Sequence, residues 1–165
     1  MAATPAIAAL ETTGIEYEVH RYRHDPRSDA YGAEAVEMLT AALRVDAQQI
    51  VKTLVIELSG SVSGLAVAVL PVPEKLSLKA AAAALGSAKA SMADAKAVTR
   101  TTGYVLGGVS PIGQRTALPT VIDSSALGFP SILCSAGRRG LEVQLSPADL
   151  ITVTSAVTAD ICVPR

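Results

Sequence analysis

The sequence predicts an α+β fold with a mixed or antiparallel sheet. Two β-rich runs, 51–58 and 65–70, are separated only by Ser59–Gly64, a linker too short for the crossover helix that parallel neighbours need, so they should form an antiparallel hairpin. Beyond residue 103, strand candidates follow one another with only turns between them, unlike the alternating elements of a doubly wound sheet. Half of the 165 residues are hydrophobic but only 3% are aromatic, which indicates a core of closely packed aliphatic side chains.

The N-terminal part of the chain should begin with a helix over Pro5–Thr13, with Thr4 as its N-cap and Gly14 at its end. From Ile15 to His20, apolar residues alternate with charged or polar ones, which predicts a half-buried strand. A second helix is expected over about 32–44, where apolar residues recur at helical spacing.

The helices downstream are marked by their caps. Ser77 should cap a helix that runs through the alanine-rich stretch to Leu85, and Asp94 a second helix that closes near Gly103. Ser146-Pro147 should open a final helix. The strand candidates of this part are Tyr104–Leu106, Thr120–Asp123, Ser131–Ser135 and Leu141–Leu145.

Length and cysteine usage favour one cytoplasmic domain spanning residues 1–165. No basic leader precedes an apolar run, and the apolar stretch 65–72 is too short to span a bilayer, so we expect no membrane association. Cys134 and Cys162 are isolated in the sequence, which suits a reducing compartment better than a disulfide framework.

The net charge of −1 gives the molecule no overall basic field that would indicate nucleic-acid binding. Positive charge can still converge on one face. Arg21, Arg23 and Arg27 follow the first predicted strand, and Arg138-Arg139 lie in a glycine-rich turn.

The segment Gly103–Gln114 contains the strongest candidate for a ligand-binding loop. An apolar strand should lead into Gly107-Gly108, after which Pro111 fixes the exit of the chain. Adjacent glycines let main-chain N–H groups approach a ligand, so the loop can form a rigid cradle for an anion or oxyanion. A tight turn without a ligand is the alternative.

Lys52 is a lone cation at the start of an otherwise apolar strand. Its ammonium group either reaches solvent at the strand end or is a fixed charge at a pocket. Together with the glycine cradle, a cation would suit a substrate that carries phosphate or develops oxyanion charge. We therefore predict that the two features belong to one site.

Other chemistries are poorly supported. Ser110 precedes a proline and lacks the strand–elbow–helix setting of a serine hydrolase, so it is expected to be a turn residue or a ligand-contacting hydroxyl. His20 and His24 have no cysteine or carboxylate cluster at ligand spacing apart from Asp25, which favours structural roles and no metal site. Cys134 lies in an apolar strand and is expected in the core.

Several segments, taken in chain order, resemble the YbaK/EbsC family, which includes free-standing aminoacyl-tRNA deacylases similar to the editing domain inserted in bacterial prolyl-tRNA synthetases. The resemblance covers nearly the whole chain and implies a mixed, largely antiparallel, barrel-like sheet with surrounding helices. The segments are Tyr22–Pro26, Lys52-Thr53-Leu54, Pro71-Val72-Pro73 before Leu76–Lys79, Met92-Ala93-Asp94, Thr102–Gly113 and Ser135–Glu142.

The resemblance implies hydrolysis, without a cofactor, of the ester that joins a wrong amino acid to tRNA, with Cys-tRNA(Pro) as the first candidate substrate. Activity would depend on Lys52, and the substrate's own thiol or a water would attack the ester; attack by the thiol would give a lyase-like release. The loop around the aminoacyl group and terminal adenosine would comprise Gly107, Gly108, Ser110 and Pro111. The rest of the pocket would be lined by Tyr22, Tyr31, Ser135, Ala136, Gly137 and Glu142.

Two residues depart from the family pattern. Ala136 stands where close relatives tend to have glycine, and Glu142 where an aspartate is usual, and both changes can alter the size of the pocket. Two other functions stay open: a non-catalytic module that holds tRNA ends or a synthetase, and a tRNA-independent hydrolase of small esters or thioesters. The modest charge suggests that a partner such as prolyl-tRNA synthetase supplies tRNA specificity.

Overall fold

A computed structural model describes residues 3–165, which form five α-helices, eight strands and two short 3-10 helices, Ala47–Gln49 and Ser124–Gly128. The helices are α1 (Pro5–Glu11), α2 (Tyr31–Ala42), α3 (Leu78–Ala84), α4 (Ala95–Thr102) and α5 (Pro147–Thr154). The strands are β1 (Glu18–Arg21), β2 (Val51–Ser59), β3 (Gly64–Pro71), β4 (Lys89–Met92), β5 (Thr120–Asp123), β6 (Ile132–Arg138), β7 (Leu141–Leu145) and β8 (Val157–Ala159).

Most of the helices begin where the sequence predicts. The caps Thr4, Ser77, Asp94 and Ser146 each accept a hydrogen bond from a backbone N–H in the first turn of α1, α3, α4 and α5, respectively. Each such cap is typically worth about 1 kcal/mol. Gly103 ends α4 in the left-handed conformation (φ 83°), which glycine adopts without steric cost.

The strands form two sheets that meet at one point. A three-stranded antiparallel sheet has the order β1-β7-β6, and a five-stranded sheet has the order β4-β2-β3-β5-β8. In the second sheet β2 pairs antiparallel with β3 and β4, whereas β5 runs parallel to β3 and β8. A parallel bridge between Ile50 and Leu133 connects the sheets, so they curve around a shared core. The expected mixed, largely antiparallel sheet is confirmed.

The core confirms the expected small aliphatic composition. Between the two sheets, β2, β3, β5, β6 and β7 contribute mainly valine, leucine and isoleucine, and α1 and α5 cover the ends of this cluster. The buried Cys134 packs here, as predicted. A second cluster lies between the five-stranded sheet and α3, and a third lies under α2. None of the helices within residues 3–165 is long and apolar enough to cross a membrane.

Three expectations about the elements were wrong or incomplete. The first strand begins at Glu18 rather than Ile15, because pairing with β7 starts with Glu18 opposite Gln144. Tyr104–Leu106 is not a strand: Tyr104 is buried and its hydroxyl donates to the Ile112 carbonyl (2.7 Å), while the next residues enter a turn. The short edge strands β4 and β8 were not predicted, since neither carries a strong alternating pattern.

Candidate active site

The main candidate site is a cavity of about 360 Å³ at the edge of β2. This is near the lower end of the size range of small-molecule pockets. Its walls come from β2, the beginning of α2, the 106–109 loop and the facing strands β6 and β7. The lining residues are Tyr22, Asp29, Tyr31, Gly32, Ala35, Val51, Lys52, Thr53, Leu54, Val72, Leu106, Gly107, Val109, Ser135 and Glu142.

The cavity crosses an open edge of strand β2. Lys52, Thr53 and Leu54 all line it, although successive side chains of a strand point to opposite faces. The edge is open because β4 pairs with β2 only from Ile56 onward. Among the described residues, the Thr53 hydroxyl is buried without a hydrogen-bond partner, so it is available to a bound molecule.

Lys52 is held at the wall of this cavity. Its side chain is half-buried, and its ammonium group donates a hydrogen bond of 2.6 Å to the Glu74 carbonyl. Burial lowers the pKa of Lys52 below its ordinary value, because desolvation disfavours the charged form. The ammonium group is therefore held by a backbone carbonyl and does not move freely at the strand end.

The loop that anchors Lys52 is itself held by the C-terminal segment of the chain. Leu76 and Cys162 form an isolated antiparallel bridge, which aligns the two segments. The remaining contacts are Val163 N–H to the Lys75 carbonyl (2.8 Å), Ser77 N–H to the Ile161 carbonyl (2.7 Å) and an ion pair between Arg165 and Glu74. The position of Lys52 thus depends on residues more than one hundred positions away in the sequence.

Glu142 supplies a buried carboxyl group on the opposite wall. Its side chain lies on β7 directly opposite Ser135 of β6, and only 6% of the residue is exposed. No hydrogen bond or ion pair within residues 3–165 engages this carboxyl group. Desolvation raises the pKa of Glu142 to about 8, so the group is largely protonated at neutral pH and can donate as well as accept a hydrogen bond.

This raised pKa predicts a pH-dependent stability. Unfolded glutamate ionises near pH 4.5, whereas folded Glu142 keeps its proton to about pH 8. Between these values the folded state binds more protons than the unfolded state, so the free energy of unfolding should fall as pH rises, by up to about 1.4 kcal/mol per pH unit. Urea unfolding of the wild type and Glu142→Gln between pH 5 and 9 would measure this, since the amide cannot ionise. Identical pH profiles for both proteins would contradict the assignment.

The 105–108 turn places Gly107 at the cavity wall and leaves one of its two glycine N–H groups without a partner in the described part of the chain. Gly108 N–H donates to the Val105 carbonyl (2.9 Å), which closes the turn, and Gly107 has φ 82°. Gly107 N–H has no partner among the described residues. The expected oxyanion role of the paired glycines therefore fits Gly107 but not Gly108, whose amide is already engaged.

Tyr31 covers this turn and is itself held by an arginine. A Cβ atom at Gly107 would lie 2.5 Å from Cγ of Tyr31, so only glycine fits beneath the ring. The Arg139 guanidinium lies over the ring, 4.5 Å from its centroid, and its Nε donates to the Leu106 carbonyl (2.9 Å). Tyr31, Arg139 and the turn thus form one packed unit at the mouth of the cavity.

The structure brings six of the predicted site residues to the cavity wall, and five lie elsewhere. The six are Tyr22, Tyr31, Lys52, Gly107, Ser135 and Glu142. Burial raises the pKa of Tyr22 to about 12, so its phenol stays protonated. The five residues that do not line the cavity are Gly108, Ser110, Pro111, Ala136 and Gly137.

Two of these five residues, Ser110 and Ala136, have structural contacts away from the cavity. Ser110 is fully buried, and its hydroxyl accepts a hydrogen bond from Ile112 N–H (3.2 Å). Ala136 packs in the main core, and its carbonyl accepts a hydrogen bond from the Thr4 hydroxyl. The strand β6 continues past the predicted end at Ser135, with an irregularity in its register between Ser135 and Arg138. The extra methyl group of Ala136 therefore faces the core and leaves the cavity unchanged.

Sequence reasoning missed several lining residues: Asp29, Gly32, Ala35, Val51, Thr53, Leu54, Val72, Leu106 and Val109. Only Thr53 carried a usable signal, as a polar residue beside Lys52 in an apolar strand.

Both histidines lie outside the cavity and bond to other side chains. His20 Nε2 lies 2.8 Å from Gln144 Oε1, and His24 Nδ1 lies 2.6 Å from Glu34 Oε1. The described wall contains no histidine or cysteine, so it offers no imidazole base or thiol nucleophile.

Comparison with known proteins identifies the family. Residues 31–153 match the aminoacyl-tRNA editing domain. The chain is 34% identical over 158 residues to a protein of Enterococcus faecalis named as a candidate Cys-tRNA(Pro)/Cys-tRNA(Cys) deacylase, EbsC, and the match covers 96% of this chain and 92% of that protein.

Solved structures share the fold along the whole chain. A candidate trans-editing enzyme for prolyl-tRNA synthetase superimposes with a TM-score of 0.82 at 27% identity, covering 99% of this chain and 100% of that one. A hypothetical protein gives a TM-score of 0.81 at 26% identity, covering 97% and 100%. The cavity, with its fixed cation and free backbone donor, thus lies in a chain that belongs to the aminoacyl-tRNA editing domain family and acts as a hydrolase on the ester bond of aminoacyl-tRNA.

Proposed function

We propose that this protein hydrolyses Cys-tRNA(Pro) in trans and that the cavity at the edge of β2 is where the aminoacyl ester is cleaved. The observation that carries the proposal is that Lys52, whose ammonium group is held by the Glu74 carbonyl, and Gly107, whose N–H has no partner among the described residues, line the same cavity. These groups can position an ester and stabilise negative charge on its carbonyl oxygen. The relative from Enterococcus faecalis, named for the same substrate, supports the choice of cysteine.

The proposed mechanism needs no protein nucleophile. The substrate thiol loses its proton and attacks the ester carbonyl carbon, the carbonyl oxygen becomes an oxyanion near Gly107, and the bond to the ribose oxygen then breaks. The ribose oxygen takes up, through solvent, the proton that the thiol lost, which leaves a free tRNA end and the four-membered cyclic thioester of cysteine. Water then opens this ring to give free cysteine. Attack by a water on the same carbon would use the same oxyanion position.

Three other polar groups of the cavity would hold the amino-acid part of the substrate. Thr53 offers an unpartnered hydroxyl, and Glu142 a protonated carboxyl group without a protein partner. Ser135 lies beside Glu142 on the neighbouring strand. Together these groups would favour a small polar side chain over the apolar ring of proline, because an apolar group would leave them unsatisfied.

The test is the release of labelled amino acid from tRNA(Pro) charged separately with cysteine, serine, alanine and proline. Serine has the shape of cysteine but a much weaker nucleophile, so rapid release of cysteine alone would support attack by the thiol. Release of serine within about tenfold of cysteine would indicate water instead. If no amino acid is released, the protein either only binds tRNA(Pro) or acts on a different tRNA. If simple cysteine esters are cleaved equally well, cleavage does not require tRNA.

Prolyl-tRNA synthetase is the proposed partner that presents the tRNA. The net charge is −1, so the molecule has no overall positive field that would bind the whole tRNA strongly by itself. Co-purification of the two proteins in the presence of tRNA(Pro), but not in its absence, is the expected result. Recovery of this protein alone under both conditions would contradict the partnership.

A further inference from the structure

A second, shallow groove lies next to the cavity on the outer face of α4. It is lined by Ala95, Lys96, Thr99, Arg100 and Leu106. Leu106 also lines the cavity, so the groove and the cavity border the same residue. The groove is therefore the neighbouring surface that a molecule too large for the cavity can reach on the α4 side of Leu106.

The groove is positively charged. Lys96 and Arg100 are both exposed and lie one turn apart on α4, about 6 Å along the helix axis. Neither side chain forms a hydrogen bond or an ion pair with any other residue in the range 3–165. Like charges at this spacing repel each other, so the pair is not stabilising as a pair, although Arg100 by itself is favourable in the last turn of α4.

More positive charge lies at the two ends of the groove. Arg115 is next to Arg100, since its Nη1 donates to the Arg100 carbonyl (3.2 Å). At the other end Arg139 binds the Leu106 carbonyl. No carboxylate lines the groove; the nearest in sequence, Asp94, accepts hydrogen bonds from the first turn of α4 as its N-cap.

We infer that this groove binds the single-stranded 3′ end of the tRNA, with Lys96 and Arg100 contacting phosphates that precede the terminal nucleotide in the cavity. The inference rests on the proposed function, because it is the ester in the cavity that places the tRNA end here. The charges match a nucleic-acid backbone, and exposed Val105 and Leu106 offer apolar contacts to sugars or bases. Local charge thus replaces the basic field that the whole molecule lacks.

The experiment measures binding of uncharged tRNA(Pro) by fluorescence anisotropy, which does not require hydrolysis. In Lys96→Ala/Arg100→Ala we expect the Kd to rise about tenfold near 0.1 M salt. The slope of log affinity against log salt should become less steep by about 1.4, which corresponds to two single-strand phosphate contacts. The matched control Lys79→Ala/Lys89→Ala removes the same charge from exposed positions on α3 and β4 and should bind like the wild type.

A tRNA without its 3′-terminal CCA identifies the occupant. The wild type should bind this truncated tRNA several-fold more weakly than the intact one, whereas the double variant should lose little further affinity, because both changes remove the same contact. Additive effects of truncation and substitution would overturn the inference, as would a wild-type Kd and salt slope in the double variant. Failure of the proposed function would instead appear as intact tRNA binding without ester hydrolysis.

Discussion

Lys52→Met should lower kcat/KM for Cys-tRNA(Pro) by at least about 100-fold, because it removes the fixed positive charge from the cavity wall but keeps the length of the side chain. The hydrogen bond to the Glu74 carbonyl is lost as well, yet that carbonyl lies in a loop with several other contacts. The unfolding midpoint should therefore change little. Steady-state release of labelled cysteine and a urea unfolding curve on the same samples measure the two effects.

Lys79→Met is the matched control, because Lys79 is an exposed lysine on α3 outside the cavity. This variant should retain wild-type activity.

The pH profile of activity gives a second test of Lys52. The lowered pKa of Lys52 predicts that activity declines with rising pH earlier than for an ordinary lysine, as the ammonium group loses its proton. Recording the profile in Glu142→Gln removes the titration of that carboxyl group. Wild-type turnover by Lys52→Met would exclude Lys52 from the mechanism.

Gly107→Ala should also reduce activity by about 100-fold or more. The added methyl group would lie 2.5 Å from Cγ of Tyr31, so the ring must leave its place under Arg139 or the turn must move. The positive φ of 82° adds a backbone cost of about 1–2 kcal/mol for any residue with a Cβ atom. Movement of the turn would shift the Gly107 N–H, and movement of the ring would break the packed unit at the mouth of the cavity. The assay is again release of cysteine from tRNA(Pro).

Gly14→Ala is the control that separates the contact of a new Cβ atom with its neighbours from the cost of a positive φ. Gly14 has a similar φ of 74°, but a Cβ atom there would meet nothing within 4 Å. The substitution should lower stability slightly and leave activity unchanged. If Gly107→Ala and Gly14→Ala behave alike, backbone strain explains the result and the packed unit around Tyr31 is unimportant for catalysis.

The elements that could be predicted from the sequence are those with local signals. The capped helices and the β2–β3 hairpin are specified by residues close to each other in the chain, and these predictions were confirmed. The short strands β4 and β8 are stable only as partners of β2 and β5, and nothing in their own residues indicates this. The error at 104–106 has the same origin, since Tyr104 is buried by contacts with residues further along the loop.

The site shows the same division between local and long-range information. Lys52 and Gly107 could be singled out as unusual residues in their own segments. The Ser110 hydroxyl faces its own loop and Ala136 faces the core. These orientations depend on α1 and on the register irregularity of β6, which no local sequence pattern describes. The open edge of β2 could not be predicted either, because it results from where a distant strand stops pairing.

The docking of the C-terminal segment on the Lys52 anchor links activity to local stability. The contacts of Ile161 and Val163 with the 75–77 loop involve a short segment after the edge strand β8, and such segments open more readily than a central sheet. When the end of this segment from Val163 onward detaches, the 74–75 loop loses the Val163 hydrogen bond and the Arg165 ion pair, whereas the fully buried Ile161 stays packed in the second core cluster. Activity should therefore be lost at a lower urea concentration than the one that unfolds the whole protein. The free energy of opening measured by hydrogen exchange at the Val163 amide should equal the free energy measured from this early loss of activity.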